Sequence, residues 1–270
     1  MLISVLAFGG DGMLIDLHVH SHHTRGSPLA PREVVRRARA VGLDGVAFTD
    51  LNTLEGLEEI RAAGREEGFL ALCGVEIATD RGHYLCFFPD PAQVPAPPQL
   101  FGSATPWPVG AVLAKVRELG GAVVAAHPYD KSVERPSGDF IFTLDGLAAI
   151  EGLNARRKGP ANDLAVEAAD HMNLPCTGGS GALESLEELG KAATLFRDPV
   201  ASEADLVRQL RAGSVFCVAI GVTPSGRTER GGERRDGGDR RERGGRGGRS
   251  EGRGGRDGGR RGGRGRGRER

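Results

Sequence analysis

An α/β architecture of parallel strands with helices packed outside them is predicted by three features of this chain. Short, wholly apolar runs recur along its first 220 residues, stretches of helical period separate them, and the chemically unusual side chains fall at or just past the ends of the apolar runs. Such a repeat makes an α/β barrel or a doubly wound sheet, and in both the site is built on the rim where the strands end.

The elements follow in order. MLIDLHVH is the first strand, ending at His20, and a His-rich loop runs from Ser21 to Ala30. PREVVRRARAVG is a helix: Pro31 stands near its start, Val34, Val35, Ala38 and Val41 share one face, and Gly42 stops it. GVAFTD is a buried strand, TLEGLEEIRAAGREEG a helix, and LALCGVEIAT and HYLCFF are two further strands. Residues 89–108 are proline-rich and without period, which predicts a long surface loop. VGAVLAKVRELGG is a helix, AVVAAHP a strand stopped by Pro128, and a polar loop reaches about Phe142. LDGLAAIEGLN is the next strand, ANDLAVEAADHMN a helix, LPCTGGS a short strand, EADLVRQLRAG a helix and SVFCVAI the last strand.

The formal net charge of this 270-residue chain is zero, but two unlike parts produce the balance. From Ser225 onward there are 17 Arg against 8 Asp and Glu, a surplus of nine positive charges. The expected division is a domain over residues 13–222, long enough for one core, and a tail over residues 223–270. Cys73, Cys86, Cys176 and Cys217 lie in apolar runs without paired spacing and read as buried thiols of a reducing cytoplasm. MLISVLAFGG has neither the charge ahead of it nor the length of a signal peptide or membrane span, and the recurrence of MLI at Met13 suggests a start there.

Alternate side chains of a strand share a face, so His18 and His20 point the same way and make a metal-binding pair. Asp50, Glu76 and His127 fall on the same rim; His83 opens its strand and reaches that rim only if the strand is short or runs antiparallel. Several histidines around one bridging carboxylate suit Zn²⁺, Mn²⁺ or Fe²⁺, whereas Mg²⁺ asks for more oxygen. Glu76 is the carboxylate placed to bridge, and two such ions about 3.5–4 Å apart can clamp a phosphoryl oxygen.

DLHVHS, GLDGVAFTD with NTLEG, GVEIATDRGH, AAHP and LPCTGGS resemble, in order, the motifs of the PHP (polymerase and histidinol phosphatase) superfamily, over roughly Leu14 to Ala219. The resemblance implies a distorted (β/α)7 barrel, up to three metal ions at the strand ends, and hydrolysis of phosphoesters such as histidinol phosphate, nucleotides or nucleic-acid ends. It makes His18, His20 and Glu76 ligands of one ion and Glu76, His83 and His127 ligands of a second. Arg25, Leu51 and Leu183 stand where the family binds a third ion, and Gly181, in GSGAL, stands where an Asp would complete the first.

A reduced, binuclear phosphoesterase follows, with Arg25 lending positive charge where the third ion would sit and Asp50 as its companion catalytic candidate. A guanidinium can grip phosphate in bidentate fashion. The alternative is a PHP-fold protein impaired in catalysis that acts as an RNA-associated binding module. Asp16 and Asp50 can orient imidazoles, and Asn154 can touch substrate from the same rim. His22, His23 and His171 read as exposed polar residues, and Gly178, Gly179 and Gly181 as a flexible loop able to approach phosphate. The tail is expected to be disordered and RGG-like, with Arg243, Arg246, Arg249, Arg253, Arg256, Arg261, Arg264, Arg266 and Arg268 available for non-specific, salt-sensitive RNA contacts.

Overall fold

The computed structural model describes residues 12–157 and 160–220. The first eleven residues, and the tail with Arg243 and the arginines after it, lie outside the described residues, so the expectations for them stay as expectations.

β1 (Met13–Val19) leads into the loop that carries His20 to Ala30, and α1 (Pro31–Ala40) follows. Pro31 opens α1 with Glu33 in its first turn and Arg37 and Arg39 in its last, each charge matching the helix dipole, while Val34, Val35 and Ala38 are buried. After β2 (Gly45–Leu51), Asn52 turns the chain at φ 58, so α2 (Leu57–Glu67) begins four residues later than the pattern places it and ends on left-handed Gly68. β3 (Leu70–Thr79) and β4 (Gly82–Phe87) form a hairpin.

The proline-rich segment is more than a surface loop. It makes a 3-10 turn at Pro91–Gln93 and α3 (Pro97–Phe101), and Trp107 is fully buried with its ring 5.5 Å from that of Phe101. A large aromatic needs a packed cover, which proline content does not reveal. α4 (Val109–Glu118), β5 (Ala122–Ala126), β6 (Ala149–Asn154), α5 (Pro160–His171) and β7 (Cys176–Gly179) follow as read. β8 (Ala192–Phe196) is additional: AATLF is too short to declare a period, yet it is buried throughout and pairs antiparallel with β1. α6 (Glu203–Ala212), capped by the Ser202 hydroxyl, and β9 (Val215–Ala219) end the fold.

Among the described residues the sheet has nine strands in the order β7-β6-β5-β4-β3-β2-β1-β8-β9. The pairings make seven strands point one way, with β4 and β8 reversed. The sheet curls until β7 meets β1 and β8, giving a nearly closed barrel. At this seam Gly178 N–H donates to the Thr194 hydroxyl at 2.8 Å, which donates back to Gly178 O at 2.9 Å. Ser180 N–H donates to Asp16 Oδ1 and Gly181 N–H to His18 O, each at 2.8 Å.

Gly178 and Gly179 are therefore seam residues and not a loose phosphate loop: a Cβ on Gly178 would stand 2.4 Å from Ala193 O, and one on Gly179 would stand 2.6 Å from His18 Cβ. The barrel interior is apolar, with Leu17, Leu72, Leu85, Phe87 and Val124 in one cluster onto which α6 packs Leu206, Val207 and Leu210. All four thiols are free, Cys73 and Cys86 buried and Cys176 and Cys217 half-buried. Among the described residues, no helix is long and apolar enough to cross a membrane.

Candidate metal centre

Glu76 is the hub of a buried array. Its Oε1 lies 3.0 Å from His83 Nδ1, 3.1 Å from His127 Nε2 and 3.6 Å from His18 Nε2, while Oε2 lies 3.3 Å from His20 Nε2. His18 is on β1, His20 just beyond it, Glu76 on β3 and His127 directly after β5. His83 reaches this rim because β4 runs antiparallel to both neighbours, the condition its position near the start of the strand demanded. All five side chains are buried except His83, which is half-buried.

Two triads could each hold a metal ion, His18 with His20 and Glu76, and Glu76 with His83 and His127; they share Glu76. Four imidazoles and a carboxylate are the donor chemistry of Zn²⁺, Mn²⁺ or Fe²⁺. The array also fits a cation because, among the described residues, the buried Glu76 carboxylate is met by four imidazoles and by no Lys or Arg.

Glu151 joins the array and was not singled out by sequence. Its Oε1 accepts from His18 Nδ1 at 2.9 Å and from Asn154 Nδ2 at 3.1 Å, and its Oε2 accepts from His127 N–H at 2.8 Å. His18, His127 and Glu151 make a third group of metal-ligand type. The signal was present: Glu151 is the one charged residue of AIEGLN, and a carboxylate inside a buried strand needs a partner. The bond to His127 holds that residue at φ 29, a left-handed conformation that non-glycine residues adopt where surrounding structure enforces it.

The charges answer one another. Burial would lower the His18 pKa, but the carboxylates of Glu151 and Glu76 raise it to about 10. Burial would raise Glu76, yet His18, His83 and His127 hold it well below the usual carboxylate range, and Glu151 is lowered by His18 in the same way. Burial keeps the His127 pKa below the ordinary imidazole value despite Glu76.

Asp50 reaches the array only through the loop. Its carboxylate accepts from Ser21 N–H, the Ser21 hydroxyl and the Thr24 hydroxyl, at 2.6, 2.6 and 2.7 Å, and Thr24 Oγ1 is 3.0 Å from His20 Nδ1. It thus anchors the loop that orients His20. Asp16 is likewise a seam residue, bonded to His18 N–H as well as Ser180, and burial raises its pKa to about 7. Asn154 is fully buried against Glu151. Arg25 is exposed and, among the described residues, makes no ion pair or side-chain hydrogen bond, so the structure does not bring it to Glu76. His22 is exposed and His23 half-buried, both against Glu59, and His171 is exposed with its ring on Phe142.

Residues 16–131 match the PHP domain and residues 159–215 the PHP-associated family. An uncharacterized protein of Methanocaldococcus jannaschii is 31% identical over 165 residues, 57% of this chain and 90% of that protein. The chain belongs to the PHP family. A 3',5'-nucleoside bisphosphate phosphatase of Chromobacterium violaceum is 34% identical over 112 residues, 42% of this chain and 39% of that protein. A 5'-3' exoribonuclease of Haemophilus influenzae is 42% identical over 65 residues, 24% of this chain and 23% of that protein. Among solved PHP-like folds, an amidohydrolase structure from C. violaceum superimposes with a TM-score of 0.55 at 20% identity, covering 75% of this chain and 97% of that one.

Proposed function

We propose that this PHP protein is a metal-dependent phosphoester hydrolase with a reduced, binuclear site that acts on nucleotides or nucleic-acid ends. The observation that carries the reading is that both triads meet on Glu76: Oε2 lies 3.3 Å from His20 Nε2, and Oε1 lies 3.0, 3.1 and 3.6 Å from the facing nitrogens of His83, His127 and His18, so one carboxylate serves both groups. His18, His20 and Glu76 would hold one ion and Glu76, His83 and His127 the other, with Mn²⁺, Zn²⁺ or Fe²⁺ suited to the donors. When bound, the ions supply Lewis acidity at a phosphoryl oxygen and polarise the attacking water.

The chain's own residues prepare that site. Glu151 holds His18 through Nδ1 so that Nε2 faces Glu76, and Thr24 does the same for His20. Arg156 Nη1 lies 3.4 Å from Gly181 O, beside the position where the resemblance expects a ligand, and its guanidinium can grip a phosphoryl oxygen there. Arg25, on the exposed part of the loop, adds positive charge that draws an anionic substrate inward. The names of the C. violaceum and H. influenzae relatives support nucleotide or nucleic-acid phosphoesters as the substrate class. The free thiols support a cytoplasmic setting.

Metal analysis of the full chain, coupled to hydrolysis of a generic phosphoester with and without Mn²⁺, tests the proposal. At least two ions per chain and turnover abolished by His127→Ala are expected; fewer than one ion per chain, or turnover indifferent to His127→Ala, rejects it.

One observation favours the impaired, RNA-associated alternative: Asn154 fills the space beside Gly181, where a Cβ would stand 2.7 Å from its amide, so a first-ion ligand is not simply replaced. That reading expects chains ending at residue 222 to lose RNA affinity in low salt while any hydrolysis of small phosphoesters persists.

A further inference from the structure

His22, His23 and Glu59 form a group that shares no residue with the Glu76 array. Nε2 of His22 and Nε2 of His23 each lie 2.9 Å from the same oxygen, Glu59 Oε2, and the two rings are 4.7 Å apart. This convergence is built into the backbone. Ser21 and Thr24, on either side of the pair, are fastened to Asp50, and His22 N–H donates to Leu29 O at 2.8 Å. Gly56 makes the room: a Cβ there would stand 2.7 Å from His23 Cδ2.

Two imidazoles and a carboxylate, presented by a pinned loop and the first turn of a helix, are a chelating set. Burial slightly opposes ionisation of Glu59, but hydrogen bonds from His23 and His22 outweigh it and keep the carboxylate anionic. We propose that His22, His23 and Glu59 bind a divalent transition-metal ion, Zn²⁺ by donor chemistry, at the outer lip of the barrel, with the remaining coordination open to water. Metal–donor distances of about 2.0–2.2 Å put tetrahedral donors roughly 3.4 Å apart. The present 2.9 Å contacts need to open by only about half an ångström, within reach of side-chain rotation at a surface.

An ion here ties the Ser21–Leu29 loop to α2. Thr24 of that loop lies 3.0 Å from His20 Nδ1, so the outer ion braces an imidazole of the inner array without touching it.

The test uses the full chain, stripped by a chelator and titrated with Zn²⁺ alone, with bound ions counted by elemental analysis and calorimetry. Wild type is expected to bind one more ion than Glu59→Gln and one more than a His22→Gln, His23→Gln double variant. Glu76→Gln, which damages the inner array, should retain the ion that those variants lose. Both outer variants change exposed or half-buried groups and should melt like wild type without metal; Zn²⁺ should then raise the melting temperature of wild type further than theirs. Equal Zn²⁺ stoichiometry in wild type and both outer variants overturns the proposal, as does loss of the outer ion in Glu76→Gln.

Discussion

Glu151 and His18 are joined by a 2.9 Å hydrogen bond between Oε1 and Nδ1, and that bond fixes which imidazole nitrogen faces Glu76. A carboxylate behind a ligating histidine sets its tautomer and ring orientation. Glu151→Gln keeps the shape and removes the charge, so metal affinity of the inner array should fall roughly 10- to 100-fold. Calorimetric titration of the stripped protein measures this; an unchanged affinity would show that Glu151 plays no part in orienting His18.

Placing at position 181 the Asp that the resemblance implies should fail when done alone. Gly181 has φ +63, and a Cβ there would stand 2.7 Å from both amide atoms of Asn154. A left-handed non-glycine residue costs about 1–3 kcal/mol before the clash is counted. Gly181→Asp is therefore expected to melt several degrees lower, and Asn154→Ala in the same chain should recover part of that loss. Equal melting of the single variant and wild type would refute the fit between Asn154 and Gly181.

The sequence showed the rim but not what stands behind it. His18, His20, Glu76, His83 and His127 were legible because strand alternation and strand ends place them, and the antiparallel condition attached to His83 is met by β4. Asp16 and Asp50 were legible as neighbours of the imidazoles, but their partners come from Ser180 and from the Ser21–Thr24 loop, contacts that no local pattern encodes. Glu151 escaped because its partner His18 is 133 residues away. β8 escaped because five buried residues carry no period. The pairing of His22 and His23 on Glu59 depends on where the loop meets α2, which neither segment states by itself.

The seam makes a sharper demand on a single glycine. Gly178 is bonded twice to Thr194, and a methyl group at 178 would press on the backbone oxygen of Ala193 at 2.4 Å. Backbone cannot yield as a flexible side chain can, so Gly178→Ala should destabilise the fold by about 1–3 kcal/mol, the cost of overpacking a close-fitted interior. Urea unfolding gives the value directly, and a midpoint equal to that of wild type would mean that β7 does not close on β8 as described.

Arg156 and Arg25 offer positive charge from different places, and their variants should separate accordingly. Arg156 Nη1 reaches Gly181 O at 3.4 Å and Nη2 stands 3.5 Å from Glu184, which keeps the guanidinium beside Gly181, whereas Arg25 is exposed. A hydrogen bond to a charged group contributes about 1.5–3 kcal/mol, and each 1.4 kcal/mol is about tenfold in affinity. If Arg156 grips the phosphoryl group of bound substrate, Arg156→Ala should raise KM by roughly 10- to 100-fold. Lys cannot copy the two-pronged contact, so Arg156→Lys should recover only part of it. Arg25→Ala should instead weaken the salt dependence of kcat/KM, as the loss of a steering charge does. Steady-state kinetics at two ionic strengths distinguish the pair, and an Arg156→Ala enzyme with unaltered KM would remove that residue from substrate binding.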